Sequence, residues 1–189
     1  MRTVNPDYEI NELIKKRWSP RAFFQKSVEE ETLNRLFEAA RWAPSSFNEQ
    51  PWRFIAIRKE NNEEFEKVLS VLTGRNPEWA GGAAVFILTL AKKTLSRNGK
   101  LNRHALHDLG LAVGNLTVQA AEMDLYLHQL GGFNNSSARD IFSIDDDFEL
   151  STIIALGYLG DPEILPEDLR QKEFGESKRK PITEFAEIR

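Results

Sequence analysis

No cysteine occurs in the 189 residues, which excludes disulfides, thiolate nucleophiles, iron–sulfur clusters and cysteine-rich zinc sites. No apolar run approaches the roughly 20 residues that a membrane-spanning helix needs. The segment after Met1, Arg2-Thr3-Val4-Asn5-Pro6, lacks the apolar stretch and small-residue cleavage site of a secretory leader. These absences fit a water-soluble, cytoplasmic protein with no membrane partner. A net charge of −4 gives no general attraction to nucleic acid. Gly-x-Gly-x-x-Gly, Walker, Gly-x-Ser-x-Gly and His-Glu-x-x-His patterns are all missing, so the usual dinucleotide-fold, phosphate-loop, hydrolase and zincin readings lack support. Chemistry must come from other side chains or from a bound cofactor.

What is present is an ordinary globular balance, 41% hydrophobic and 29% charged, in a length that suits one domain over residues 1–189. Ile10, Leu13 and Ile14 predict a first helix running to about Arg17, where Pro20 stops it. Ser27-Val28-Glu29-Glu30 has the form of a capping box, and Leu33, Leu36, Phe37 and Ala40 then make an apolar stripe ending near Ala43-Pro44. Trp52 to Ile57 reads as a strand, and Phe65, Val68, Leu69 and Leu72 mark another helix. Ala83 to Leu90 is continuously apolar, as in a buried central strand. From Leu106 to Met123 a helix is apolar nearly all round and thinned by Gly110, Ala112, Gly114, Ala120 and Ala121, which suits the centre of the fold or a subunit interface. Strands follow at Leu125–Leu130 and Ser151–Tyr158, separated by a short helix at Ser137–Phe142 and an acidic turn at Asp145 to Asp147. The tail from Asp161 to Arg189 ends in Pro181-Ile182-Thr183-Glu184-Phe185, apolar enough to pack as an arm on a partner subunit. The order is mixed, helix-rich α+β.

Five groups of residues could carry chemistry. Arg17-Trp18-Ser19-Pro20-Arg21 sets two guanidinium groups and a hydroxyl at a helix-to-loop junction, a set suited to phosphate, and Lys178-Arg179-Lys180 forms a second basic cluster. Either cluster alone is equally explained as solvated surface. Pro44, Ser45, Ser46, Asn48 and Gln50 put donors and acceptors between two prolines, as a heteroaromatic ring or a ribityl chain would require, although turn and cap roles explain each residue singly. Gln129-Leu130-Gly131-Gly132 follows a strand, and its paired glycines would let backbone N–H groups approach a flat ligand, or simply make a tight turn. His104, His107 and Asp108 share a helix at spacings that could face a metal, but no third ligand cluster accompanies them.

Taken in order, RWSPR, APSSFNEQPW, LHQLGGF, GYLGDPEIL and KRKPITEF resemble the nitroreductase family from near the start of the chain to near its end. The resemblance implies an α+β nitroreductase-like fold, a central, mostly antiparallel sheet flanked by helices, with a C-terminal arm on the partner subunit. It implies FMN as cofactor. Arg17, Trp18, Ser19 and Arg21 then match the segment for the FMN phosphate and adjoining flavin, with Lys178 and Arg179 closing on the phosphate from the tail. Pro44, Ser45, Ser46 and Asn48 match the segment that reaches the FMN held mainly by the other subunit of a homodimer. Gln129, Leu130, Gly131 and Gly132 match the loop beside the isoalloxazine ring. The chain departs from the family pattern at Asn134, where an acidic residue is frequent, and at Ser177, where a basic one is.

The implied activity is transfer of electrons from NAD(P)H through FMN to a nitroaromatic, quinone or similar acceptor, without a catalytic triad or a named general acid. The same residues are compatible with dehydrogenation, dehalogenation or flavin breakdown. Two other classes of function remain: a protein that stores or presents FMN through the same contacts without NAD(P)H turnover, and a structural or interaction dimer that keeps the fold but has lost the cofactor.

Overall fold

The structure, a computed structural model, describes residues 4–175 and 177–189; Met1 to Thr3, read above for a leader, lie outside the described residues. Its centre is set by the most apolar strand. β3 (Val85–Lys92) is buried from Val85 to Ala91 because both of its faces are covered. Phe86, Leu88 and Leu90 enter one core, and Val85, Ile87 and Ala91 enter the other. The period of two thus feeds two layers from one strand.

β3 pairs with β2 (Trp52–Arg58) on one side and with β5 (Phe148–Leu159) on the other. The far edge of β5 takes β4 (Leu125–Leu130), and every pairing is antiparallel. Tyr158 is opposite Leu125 and also opposite Phe24, so the two-residue β1 (Phe23–Phe24) continues the edge that β3 leaves free. A bulge at Ser151 shifts the β3–β5 register between Thr89 and Leu90. The extra residue returns Leu150 to the same core as Ile153 and Ala155, where strict alternation would have turned it to the opposite face.

Two helices, α2 (Glu30–Arg41) and α5 (Ala105–Glu122), cover one face of the sheet. α3 (Asn62–Val71), α4 (Pro77–Ala80), α6 (Asn135–Ile141) and α7 (Glu167–Glu173) send side chains into the core on the other. α1 (Glu12–Lys16) lies outside them, packed against α5 with no residue of its own buried. Leu33, Leu36 and Ala40 of α2 are buried as their spacing predicts, each large side chain stabilising the fold by roughly 1.5–3 kcal/mol.

The capping box does not form. Glu29, in extended conformation and with no side-chain bond, precedes the first helical residue, and Ser27 stays two residues further out. Val28 explains the difference: it is 1% exposed in the α2–α5 core, and seating it keeps the backbone extended up to the helix start. Among the described residues no helix is long and apolar enough to cross a membrane.

Candidate functional site

Arg17 caps the C-terminal end of α1, its N–H donating to the Leu13 carbonyl at 3.0 Å. From there it faces a cavity of about 870 Å³ whose opposite wall is the tail, including Lys178, Arg179 and Lys180. Val4, Pro6, Tyr8, Ile10 and Ile14 supply the apolar lining. Two basic clusters separated by about 160 positions thus share one concave site of the size that cofactors occupy. Its lining combines what a phosphorylated, largely flat ligand needs, cations and apolar surface.

The loop after Arg17 is held from three sides. Trp18 is buried edge-on to Tyr126, with ring centroids 6.5 Å apart, and therefore wedges the loop instead of facing the cavity. His128 of β4 places Nδ1 3.0 Å from the Pro20 carbonyl and packs on Trp79, centroid to centroid 4.7 Å. Burial pushes this imidazole down to about 4, with the Arg21 guanidinium adding to the effect against the hydrogen bond to Pro20, so the ring is neutral at physiological pH. Glu173 of α7, 1% exposed, accepts from the Arg21 backbone N–H at 3.2 Å and from Arg21 Nη1 at 3.1 Å. Arg21 is consequently tied to a carboxylate and does not line the cavity. Ser19, half-buried, lies between these anchors.

A second group forms around α5. Ser45 Oγ accepts from the Gln50 N–H at 3.0 Å, and the Ser46 N–H donates to Asp108 Oδ2 at 3.0 Å. Phe47, Asn48 and Gln50 all have positive φ, at 55°, 55° and 49°. Such conformations cost non-glycine residues of order 1 kcal/mol or more each and persist only where surroundings impose them. Pro44 and Asn48 are exposed. Of the three residues whose spacing suggested a metal, Asp108 is turned to Ser46 and His107, while His104 is the N-cap residue before α5; among the described residues no group of three His, Asp or Glu side chains could hold a metal ion.

The third group is the turn after β4. Gln129 is exposed and Leu130 is core. The Gly132 carbonyl accepts from the Thr73 N–H at 2.9 Å and from Asn76 Nδ2 at 3.0 Å. A Cβ on Gly132 would lie 2.8 Å from that Asn76 nitrogen, whereas one on Gly131 would meet nothing within 4 Å. A side chain at position 132 would therefore push the Asn76 amide off the Gly132 carbonyl. Gly131 leaves an open backbone face that a planar ligand can approach.

In a single chain the three groups are not one site. Arg17, Lys178 and Arg179 come together; the Ser45–Asn48 loop and the Gly131–Gly132 turn do not line their cavity. Sequence reasoning missed Glu173, His128 and Asn76. Glu173 sits in a charged stretch that looks solvated, and the other two act on backbone carbonyls, which no spacing reveals.

The nitroreductase family matches residues 14–158, most of the chain and all five strands but the final residue of β5. The chain belongs to the nitroreductase family. A Methanothermobacter thermautotrophicus protein with the provisional name NADH dehydrogenase/NAD(P)H nitroreductase is 29% identical over 156 residues, covering 79% of this chain and 77% of that protein. A crystal structure of an oxidoreductase containing FMN is similar at a TM-score of 0.90 and 32% identity, over 96% of this chain and 92% of that one. A protein of Desulfovibrio desulfuricans solved in complex with FMN is similar at a TM-score of 0.74 and 26% identity, over 94% and 95% of the two chains. The nitroreductase fold is thus established, with its antiparallel sheet between helical layers.

Proposed function

We propose that this nitroreductase-family chain is an FMN-dependent oxidoreductase, taking electrons from NAD(P)H and passing them to a nitroaromatic, a quinone or a similar small acceptor in the cytoplasm. The observation that carries the reading is the cavity where Arg17 meets Lys178 and Arg179. Its donor set fits FMN: guanidinium and ammonium groups for a phosphate dianion, an apolar wall beside them, and an open glycine face elsewhere on the chain. When bound, the flavin supplies the hydride chemistry, and the protein supplies position and electrostatics. Arg17, Lys178 and Arg179 hold the phosphate end. His128 and Glu173 keep the Ser19–Arg21 loop in place, and Thr73 and Asn76 fix the carbonyl of Gly132 so that the turn presents its backbone to the ring.

The active form in this reading is a homodimer. α5 exposes Leu106, Leu111 and Val118, with Gly110 and Gly114 between them, and a Cβ on either glycine would meet nothing within 4 Å. Glycine weakens a helix interior by about 1 kcal/mol relative to alanine, so two on one face suit a closely approaching partner. A second copy, related by a two-fold axis, would cover this face, carry the Ser45–Asn48 loop to the other chain's flavin and receive the tail, whose Phe185 is 71% exposed in the single chain.

The test is an anaerobic titration of the FMN-loaded protein with NADH and then NADPH, followed by flavin absorbance and completed with a nitroaromatic or a quinone. Rapid bleaching by one donor and recovery on adding acceptor is the expected result. A firmly bound flavin that neither donor bleaches would overturn the reductase reading in favour of FMN storage. In parallel, Arg17→Ala should weaken FMN affinity at least about tenfold, the loss of one charge-assisted phosphate contact; unchanged affinity would remove Arg17 from the phosphate site.

A further inference from the structure

The backbone of the Ser45–Gln50 loop is held in conformations it would not keep unaided. Phe47 and Gln50, with φ of 55° and 49°, have neither the missing Cβ of glycine nor the short polar side chain that lets Asn48 tolerate the left-handed region. Local bonds from the Gln50 N–H to Ser45 Oγ and from Gln50 Nε2 to the Asn48 carbonyl belong to the loop itself and move with it. Braces from outside act at the loop's end, where Arg53 Nη1 of β2 donates to the Gln50 carbonyl at 3.2 Å, and on its two flanks. On one flank, the hairpin closed by the Thr94–Leu101 bridge donates the Ser96 N–H to the Glu49 carboxylate and sets the Arg97 guanidinium 4.1 Å from the Phe47 ring centroid; these groups are exposed or half-buried. On the other, Asp108 reaches up from α5 and accepts the Ser46 N–H through Oδ2, while Oδ1 lies 3.1 Å from His107 Nδ1.

Asp108 is 2% exposed on a helix whose other buried side chains are apolar except Thr117. A carboxylate in that position is costly unless its acceptor capacity is used. Here it is used on one long-range backbone N–H at the first residue of the strained turn. The charge-assisted Asp108–Ser46 bond, part-buried where the groups of the other flank are exposed or half-buried, is the stronger hold on the start of the turn.

We propose that Asp108 is a positioning residue for the flavin site of the partner subunit: by pinning Ser46 it holds the Ser45–Gln50 loop in the shape that reaches across the dimer. What the loop touches rests on the reading in the preceding subsection. The pin does not.

The experiment compares Asp108→Ala and Asp108→Asn in the full chain by two readouts, FMN affinity from flavin fluorescence and residue-resolved hydrogen exchange of the Ser46 amide. Asparagine keeps an acceptor oxygen and a similar shape; alanine leaves the Ser46 N–H without a partner. Asp108→Ala should weaken FMN binding about tenfold or more and speed Ser46 exchange by a similar factor, with Asp108→Asn restoring both to within about threefold of the wild type. Unchanged FMN affinity and unchanged Ser46 exchange in Asp108→Ala would overturn the proposal. An Asp108→Asn variant as impaired as alanine would overturn it too, because the charge toward His107 and not the bond to Ser46 would then be what matters. Should the wild type bind no FMN while Ser46 exchange still responds to Asp108→Ala, the flavin reading falls and the pin stands.

Discussion

Because the folded state keeps the His128 ring neutral, the loop it holds carries an acid limit. An unfolded histidine takes its proton near 6.5, whereas the buried ring does so only near 4. The contribution is complete above 6.5 and is lost as the pH falls from there towards 4, where the folded state must also charge. Over that interval the ceiling is on the order of 3 kcal/mol at about 1.36 kcal/mol per pH unit. Urea midpoints at pH 7 and pH 5 should therefore separate clearly in the wild type and less in His128→Phe, which keeps a ring against Trp79 but has no titrating nitrogen. Equal pH dependence in both would show that other groups set the acid limit. None of this was visible in the sequence, where His128 is one residue of a strand. Ser45, Ser46 and Asn48 stood out because polar residues crowded between prolines are uncommon; Asp108 stood out only for its metal-like spacing with His104 and His107, and its hold on Ser46 could not be seen until its burial and partner were known.

At the scale of elements, the long and periodic segments were legible, as were the short α1 and α6, whereas β1, α4 and α7 were not. α2, α3 and α5 and strands β2 to β4 lie where their spacing puts them, because each buries enough apolar surface to leave a pattern. β1 has two residues, α4 four and α7 seven, too few to repeat a period, and tertiary contacts hold them in place. The start of β5 was read three residues late because the bulge at Ser151 breaks its alternation. β1 also shows how close such contacts can be. A Cβ on Gly160 would lie 2.5 Å from the Phe23 carbonyl carbon and 2.8 Å from its nitrogen, so no side chain can relax to admit it. Gly160→Ala should cost about 2 kcal/mol or more in urea unfolding by displacing Phe23 from its stack on Trp79. Gly81→Ala, whose Cβ would meet only the Leu69 side chain at 3.7 Å, is the control and should be near neutral. Comparable losses in the two variants would mean that close approach at Phe23 is not the cause.

The largest scale is the assembly. In an isolated chain, alanine at Gly110 and Gly114 would simply strengthen an exposed helix, by up to about 1 kcal/mol each. If a second copy covers that face, the same positions reject bulk, and Gly114→Leu should sediment as a monomer and lose FMN, while its far-ultraviolet circular dichroism stays native. A Gly114→Leu dimer that retains FMN would place the interface elsewhere. Sheet order has a consequence of another kind. β5 lies between β3 and β4, yet it is the last strand to be synthesised, and β1 near the start of the chain pairs with its end. Until about residue 159 has left the ribosome, the β2–β3 pair and β4 present bare edges with nothing to join them, and the final strand must insert between pieces already made. From the completion of β3 at Lys92 until β5 ends at Leu159 the nascent chain carries an unpaired central edge, the period in which it is most exposed to aggregation and has most need of a chaperone.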